Sequence, residues 1–307
     1  MRIPSVKSTA TGALAFFLAV VSGGRLGTAQ SVPPGSQTDS GRLSVRWQPA
    51  RLVNGSPILF RVSSPIKLQS LTGSWFGHEV FFTLSAKTRV WSGFSGVSLE
   101  TKPAAYKLEL TGRDSRGKDV FFEQRVTVAR AHYKKVAIVV AKQYTEPAPE
   151  QLQKIKEDKA IKGDIFKSVG LEREWSGNFS PPVDARISDV FGTQRVFNGK
   201  AQSTHQGLDY AVPTGTSVAA LNSGTVLLAR SLFFEGNCVV IDHGQGLLTL
   251  YLHLSQFAVK DGEHVQRGQQ IGLSGGSGRA SGPHLHIAVR WQGIYLDPAT
   301  VLKLKLP

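Results

Sequence analysis

Short runs in which apolar and polar residues alternate mark β-strands along much of the chain. The alternation is clear at 43–47 and at 106–110, and a turn sequence at 114–117 leads into a further apolar run at 120–128. Several such strands between residues 41 and 142 predict an antiparallel β-sandwich of immunoglobulin-like type. No pair of residues at ligand spacing occurs in this region, so we interpret it as an accessory domain without chemistry of its own.

The strand pattern stops at Glu146-Pro147-Ala148-Pro149, and the pattern over residues 143–171 is helical instead. Apolar residues recur near helical spacing, at Leu152, Ile155, Ile161, Ile165 and Val169. Pro149 suits the first turn of a helix, where its missing N–H costs nothing. We predict a linker helix whose lysines and glutamates face solvent.

Residues 172–307 return to strands, now punctuated by glycine. Within 247–254, leucines alternate with Thr249, Tyr251 and His253, so that the two sets would lie on opposite faces of one strand. Burial of the leucine face would aim Tyr251 and His253 at whatever lies opposite. The chain is therefore predicted to be mostly β, with a second β domain at its C-terminal end.

The first 29 residues have the three-part pattern of a secretory signal. Arg2 and Lys7 precede an apolar run from Ala10 to Val21, and small residues lead to Ala29. That run falls short of the roughly 20 residues needed to span a bilayer, and no later stretch is predicted to do so. We expect cleavage after Ala29 and export to the periplasm or the extracellular cell envelope, with residues 30–40 disordered.

Amino-acid composition gives only limited information about the class of binding partner. The net charge is +14, from 36 Lys and Arg against 22 Asp and Glu, which favours either simple solubility or an anionic partner such as a cell-wall polymer. No basic motif interleaved with aromatic residues points to nucleic acid. Cys238 is the single cysteine, so an intrachain disulfide is excluded, and its apolar neighbours predict a buried thiol.

Two candidate pairs of metal ligands lie in the C-terminal domain. His284 and His286 are two residues apart in a predicted strand, on one face and with Cα atoms about 6.6 Å apart. His205 and Asp209 would be about 13 Å apart in an extended chain, so they can share an ion only if the chain bends, which Gly207 permits. The alternative is an unpaired loop histidine and a turn aspartate.

Together these residues and His253 place four histidines and one carboxylate in one domain. Two imidazoles and a carboxylate with an open fourth position are typical of catalytic zinc, whereas structural zinc favours a closed set rich in thiolates. Two further histidines remain for proton transfer or for stabilising an oxyanion. The set predicts a hydrolase that uses a zinc-bound water.

Three motifs also resemble, in order and spacing, the signature of the lysostaphin/LytM-type zinc metallopeptidases, which act on peptidoglycan. They are His205-x3-Asp209, Tyr251-Leu252-His253-Leu254 and Gly282-Pro283-His284-Leu285-His286. The likeness runs from about Trp175 to Pro298 and includes Gly278-Arg279. It implies a small, mostly antiparallel β domain with a groove at the metal.

The resemblance implies a role for each motif residue. His205, Asp209 and His286 would bind one zinc ion, and His253 and His284 would be the catalytic histidines. The substrate would be the peptide stems of peptidoglycan. Three residues are further candidates for substrate contacts: Tyr251, which shares a predicted strand face with His253, and Arg195 and Asn198, for which loop structure is the alternative role.

Three rival interpretations stay open at this point. The chain would be a catalytically silent family member that binds the wall and activates another hydrolase, or a binding module in which zinc is structural. A third rival is a lipoyl- or biotinyl-carrier hairpin around 265–272, which would need a modifiable lysine at its turn, and no lysine stands at the matching place.

Overall fold

The computed structural model describes residues 43–199 and 201–307. The predicted signal sequence and the predicted disordered segment at 30–40 lie outside these residues. The first eight strands follow the chain as β1 (Ser44–Gln48), β2 (Leu52–Val53), β3 (Pro57–Ser63), β4 (Leu68–Trp75), β5 (His78–Leu84), β6 (Trp91–Gly96), β7 (Ala104–Asp114) and β8 (Asp119–Ala129).

The remaining elements begin with one more strand and the linker helix. They are β9 (Lys135–Ile138), a 3-10 turn (Lys142–Tyr144), α1 (Pro149–Ile165), β10 (Ile187–Asp189), β11 (Gln194–Phe197), β12 (Ala201–Thr204), β13 (Leu208–Tyr210), β14 (Ser217–Ala219), β15 (Gly224–Leu232), β16 (Gly236–Asp242), β17 (Leu247–Leu254), β18 (Gln256–Phe257), β19 (His264–Val265), β20 (Gln270–Leu273), β21 (Leu285–Trp291), β22 (Ile294–Leu296) and α2 (Pro298–Val301).

The N-terminal strands form two layers that are linked by β5. The first half of β5 pairs with β4 and its second half pairs with β6, and the full order is β1-β3-β6-β5-β4-β7-β8-β2. The layers meet in a core where the rings of Phe60 on β3 and Trp75 on β4 lie edge to face, with centroids 5.6 Å apart. The immunoglobulin-like type of this β domain stays a prediction.

The C-terminal domain is built on an antiparallel sheet of order β10-β13-β21-β17-β16-β15-β19, with β22 paired to β21. Two smaller three-stranded sheets, β14-β20-β18 and β12-β11-β9, flank it. Its central strands β16, β17 and β21 are almost wholly buried, which explains their nearly continuous apolar sequences. The prediction of a mostly β chain with a C-terminal β domain is confirmed.

β9 connects the two parts of the chain. It follows the N-terminal strands, yet it pairs in parallel with β11 of the C-terminal domain, from Lys135 opposite Gln194 to Ile138 opposite Phe197. The accessory domain was predicted to extend to residue 142, so its last segment contributes a strand to the neighbouring sheet. Further along the interface, Leu296 lies so close to Gly96 that a Cβ there would be 2.3 Å from a leucine methyl carbon.

The linker helix α1 begins at Pro149, as the sequence predicts. Ile161 and Ile165 pack against a buried cluster that contains Leu248 and Leu250 of β17 and also Cys238. Its charged residues do not all face solvent: Asp158 is 3% exposed and accepts a hydrogen bond from the backbone N–H of Phe233 at 2.6 Å. In the part of the chain described above, no helix is long and apolar enough to cross a bilayer.

Candidate metal centre

Three side chains meet at a single point. Two of them lie on the paired strands β13 and β21, and the third lies in the segment just before β13. His205 precedes β13, Asp209 lies on β13, and His286 lies directly opposite Asp209 on β21. His205 Nε2 is 3.1 Å from Asp209 Oδ1 and 3.0 Å from His286 Nδ1, and His286 Nδ1 is 2.7 Å from Asp209 Oδ1. All three residues are buried.

These three atoms fit a tetrahedral zinc ion. Ligand atoms that are bound at about 2.0–2.1 Å in a tetrahedron lie about 3.3 Å from one another, close to the separations observed. The donors are two imidazole nitrogens and one carboxylate oxygen, which is the mixture that catalytic zinc sites use. Burial lowers the pKa of His286 to about 4, even though Asp209 opposes this, so its ring is neutral at pH 7 and can bind a metal.

Gly207 makes the close approach of these residues possible. A Cβ at Gly207 would lie 2.3 Å from the carbonyl oxygen of Ile287 and 2.4 Å from two ring atoms of His286. Any side chain there would push β13 away from β21 or displace the imidazole. The sequence predicted that the chain must bend between His205 and Asp209, and that Gly207 permits the bend. The structure adds that the residue at this position must also be small.

A second layer of hydrogen bonds orients the three side chains. His205 Nδ1 is 2.9 Å from the carbonyl oxygen of Val190, which places the proton on Nδ1 and leaves Nε2 free to bind a metal. The Arg195 guanidinium donates to Asp209 Oδ2 and to Asp189 Oδ2, the latter at 2.7 Å. Although burial disfavours the Asp209 carboxylate, the neighbouring His286 and His205 hold the pKa of that carboxyl far below its usual range.

Arg195 therefore lies at the site, but its hydrogen bonds go to carboxylates of the protein. Arg195 supports Asp209 and also lines the groove, so the predicted contact with substrate stays a prediction. Asp189, which completes this arrangement, was not predicted. No spacing rule in the sequence connects Asp189 to Arg195, since their contact depends on the turn between β10 and β11.

His253 and His284 face each other across the same site. Their ring centroids are 4.8 Å apart, and the His253 centroid is 6.0 Å from that of His286. His253 Nδ1 lies 2.7 Å from the carbonyl oxygen of Ser277, and His284 Nδ1 lies 2.8 Å from that of Gly282. Each ring thus donates from Nδ1 to a backbone carbonyl, which leaves Nε2 available to face the site. Burial, reinforced by His284 and His286, lowers the pKa of His253 to about 3.

The backbone of His253 breaks the alternation of β17. Its φ is +63°, a left-handed conformation that residues other than glycine seldom adopt. As a result His253 lines the cavity beside Leu250 and Leu252, whereas Tyr251 packs into the main core on the other face. The prediction that His253 and Tyr251 share a face is wrong, because strict alternation requires extended backbone at every residue.

Tyr251 is a structural residue. Its side chain is fully buried, and its hydroxyl accepts a hydrogen bond from the backbone N–H of Leu221 at 2.7 Å and from Thr249 Oγ1 at 3.2 Å. Burial raises the pKa of Tyr251 well above its usual value. The predicted contact with substrate is therefore corrected: no part of this side chain reaches the groove.

The contacts of Asn198 fit local structure, the alternative role that the sequence left open, and its contact with substrate stays a prediction. Its side-chain oxygen accepts from the backbone N–H of Val140, and its amide nitrogen donates to the carbonyl oxygen of Val140, both at 3.0 Å. The amide nitrogen lies 3.2 Å from Thr145 Oγ1 as well. The side chain thus holds the segment that follows β9 against β11, and all of its polar atoms are occupied within the protein.

The site opens into a groove of about 640 Å³. One side consists of the metal-site and histidine residues, including Asp209, His253 and His284, together with the loop 281–283. The other side is the segment from Lys134 to Val140, which arrives from the N-terminal part of the chain. Sequence reasoning assigned no chemistry to this segment, and its role depends on the non-local pairing of β9 with β11.

Comparison with known proteins agrees with this geometry. Residues 203–298 match the model of peptidase family M23, and this range contains all three candidate metal ligands and both facing histidines. This domain belongs to peptidase family M23. The resemblance to lysostaphin/LytM-type peptidases predicted from the three motifs is thereby confirmed.

Two curated relatives of the M23 domain are named as endopeptidases. The peptidoglycan DD-endopeptidase ShyA of Vibrio cholerae is 43% identical over 129 residues, which cover 41% of this chain and 29% of that protein. The DD-carboxypeptidase/endopeptidase Mpg of Neisseria meningitidis is 38% identical over 131 residues, which cover 43% of this chain and 30% of that protein. The chain thus spans less than a third of the length of these two curated relatives.

One solved structure is similar over most of the chain. It is a crystal structure from Pseudomonas aeruginosa assigned to peptidase M23, 28% identical, with a TM-score of 0.62. The match covers 82% of this chain and 95% of that one. The likeness therefore extends beyond the M23 domain into the N-terminal β domain.

Proposed function

We propose that this protein is an exported zinc metalloendopeptidase that hydrolyses the peptide cross-links of peptidoglycan. The observation that carries the proposal is the convergence of five side chains at one groove. Three of them form a metal-binding set with ligand atoms 2.7–3.1 Å apart, and the other two are histidines whose Nε2 atoms are free. The relative ShyA, which is named a peptidoglycan DD-endopeptidase, supports the substrate class.

His205 Nε2, His286 Nδ1 and Asp209 Oδ1 would hold the zinc ion. When bound there, zinc would lower the pKa of a water molecule and polarise the carbonyl of the scissile bond. Arg195 keeps Asp209 oriented by occupying its second carboxylate oxygen, and the carbonyl of Val190 keeps His205 in the tautomer that binds metal.

The two remaining histidines supply the proton transfers. His253 is buried and neutral, with its proton held on Nδ1 by the carbonyl of Ser277, so its Nε2 accepts a proton from the attacking water. His284, on the opposite side, has Nε2 at 4.0 Å from Asp209 Oδ1 and donates to the oxygen that becomes negative in the tetrahedral intermediate. Protonation at Nε2 is needed for that donation, since Nδ1 is engaged by Gly282.

The charge of the chain suits this substrate. The full chain has a net charge of +14, and cleavage after Ala29 would remove Arg2, Lys7 and Arg25 and leave +11. This positive charge favours contact with anionic wall polymer, and it acts at long range rather than at the site itself. The alternative of a silent family member that activates another hydrolase has no support in the site, since neither a ligand nor a facing histidine is replaced.

The test is digestion of purified peptidoglycan by residues 30–307 with zinc added. Walls with diaminopimelate cross-links and walls with glycine bridges are digested separately, and the released muropeptides are resolved by chromatography. We expect loss of cross-linked dimers, abolished in His286→Ala and retained in His264→Ala, a control at an exposed histidine. Intact dimers after digestion with a zinc-loaded protein would refute the proposal.

A further inference from the structure

Arg279 is a second cation in the groove, and its surroundings differ from those of Arg195. Its backbone N–H donates to the carbonyl oxygen of Phe234 at 2.8 Å, which ties the loop before β21 to the loop before β16. Its guanidinium carbon lies 4.8 Å from the ring centroid of Phe197 and 4.8 Å from that of Phe234. The two rings hold the planar guanidinium in place without using its N–H groups.

The guanidinium of Arg279 has no anionic partner among the residues that the structure describes. Glu235 is the acidic group that acts on it, but this carboxylate lies beyond ion-pair distance and forms its ion pair with Lys162. Arg195, by contrast, forms ion pairs with both Asp189 and Asp209. Burial lowers the pKa of Arg279, yet a guanidinium stays charged at neutral pH, so a partly desolvated positive charge is offset by Glu235 at longer range and not by an ion pair.

This charge lines the groove that contains the proposed reacting centre. Arg279 lines the same groove as Asp209, His253 and His284, and with His253 it also lines a smaller adjoining cavity of about 150 Å³. A guanidinium whose N–H groups are free matches a carboxylate in a two-point contact. A ligand that places a carboxylate beside the scissile bond would therefore meet Arg279.

We propose that Arg279 binds a free α-carboxylate on the residue that supplies the amine side of the scissile bond. The inference rests on the proposed function and adds the substrate class. In a cross-link made on the amino group of one diaminopimelate centre, the carboxylate of that centre stays free, one carbon from the scissile nitrogen. A terminal D-alanine presents the same group, whereas the internal residues of a glycine bridge present none.

Arg279 would therefore favour peptidoglycan that has a free carboxylate beside the scissile bond over peptidoglycan with glycine bridges. A bound glycine bridge would cover the partly exposed Arg279 guanidinium without giving it an ion-pair partner, which is unfavourable. A substrate with the free carboxylate would neutralise this charge in a charge-assisted pair. Such pairs correspond to roughly 10- to 100-fold in an equilibrium or rate constant. Arg279 is thus a specificity-determining residue, distinct in role from the metal ligands and the two histidines.

The experiment compares kcat/KM on matched soluble muropeptides with the zinc-loaded protein. One dimer has the free carboxylate at the diaminopimelate centre of the scissile bond, and a second has the same carboxylate amidated. A pentapeptide ending in D-Ala-D-Ala distinguishes the terminal source of a carboxylate from the cross-link source. The variants are Arg279→Gln, Arg279→Lys and, as a matched control at an exposed arginine far from the groove, Arg230→Gln.

We expect the wild type and Arg230→Gln to favour the free over the amidated dimer by about 10- to 100-fold, mainly through KM. Arg279→Gln should bring this ratio close to one, and Arg279→Lys should give an intermediate ratio, with zinc content and melting temperature unchanged. Equal cleavage of both dimers by the wild type, or an unchanged ratio in Arg279→Gln, would overturn the inference while leaving the endopeptidase intact. Failure of the wild type to cleave any of the three peptides would overturn both.

Discussion

Asp209 and His286 stand directly opposite each other on β13 and β21, and His286 Nδ1 lies 2.7 Å from Asp209 Oδ1. The register of two antiparallel strands therefore brings together two candidate ligands that are 77 residues apart in sequence. Because side chains of directly opposed residues lie on the same face of a sheet, this register decides whether a metal set forms at all. Metal binding should accordingly be sensitive to any change in the spacing of these two strands.

Gly207→Ala tests that sensitivity. The new methyl group would lie 2.4 Å from the His286 ring, so β13 and β21 must separate or the imidazole must move. We expect zinc affinity to fall about 10- to 100-fold, the range that overpacking of a well-packed site produces. Gly163→Ala is the matched control, since a Cβ in this helical position meets nothing, and it should slightly raise stability. Unchanged zinc affinity in a competition titration of Gly207→Ala would contradict the argument.

His253→Asn separates metal binding from catalysis. Asparagine tolerates the left-handed backbone at this position, so the fold is kept while the proton acceptor is lost. We expect one zinc ion per chain to remain and kcat to fall by about 10²- to 10⁴-fold. Zinc content by atomic spectroscopy and turnover of a muropeptide dimer are the two measurements. A fully active His253→Asn protein would remove this residue from the mechanism.

Asn198 is expected to hold in place the segment around Val140 that forms one side of the groove. Its side chain makes two hydrogen bonds to the backbone of Val140, and its φ is +50°. Asn198→Gly keeps this backbone conformation but removes both bonds, so amide hydrogen exchange at Val140 should accelerate by about 10-fold or more. Zinc binding should be unaffected, because no ligand contacts Asn198. Unaltered exchange at Val140 would show that β9 alone holds this segment.

The stability of the protein should depend on pH through His243, away from the metal centre. This fully buried ring is held between the carbonyl of Ser223 and Thr249 Oγ1, and burial lowers its pKa from 6.5 to about 4, although Ser223 and Asp242 act in the opposite direction. Between these two values the unfolded chain binds more protons than the folded one. The free energy of unfolding must therefore fall as the pH falls from about 6.5 to about 4.

The loss attributable to His243 is up to roughly 3 kcal/mol, from 1.36 kcal/mol per pKa unit. His243→Gln should be less stable than the wild type at pH 7 but should lack this part of the acid dependence. Urea denaturation of both zinc-loaded proteins at pH 7 and pH 4.5 measures the difference. Parallel stability losses in the two proteins would show that His243 does not titrate in this way.

Local pattern was sufficient for several elements and for the identity of the reactive groups. The strands near 43–47, 106–110, 120–128 and 247–254, the helix that begins at Pro149 and the five residues of the three motifs are visible in the sequence, since alternation, helical spacing and ligand chemistry are properties of short segments. The family could be inferred for the same reason. Nothing in these segments, however, shows which residues outside the motifs contact them.

Tertiary structure decided the roles of the residues around the motifs. One left-handed residue, His253, places its own side chain and that of Tyr251 on opposite faces, against the alternation expected from sequence. Arg195 supports Asp209, whereas Arg279 forms no ion pair with any residue that the structure describes, and this difference depends on which carboxylates fold beside each of them. The wall from Lys134 to Val140 exists only because β9 pairs with a strand about 60 residues away, and such non-local pairing leaves no local signal.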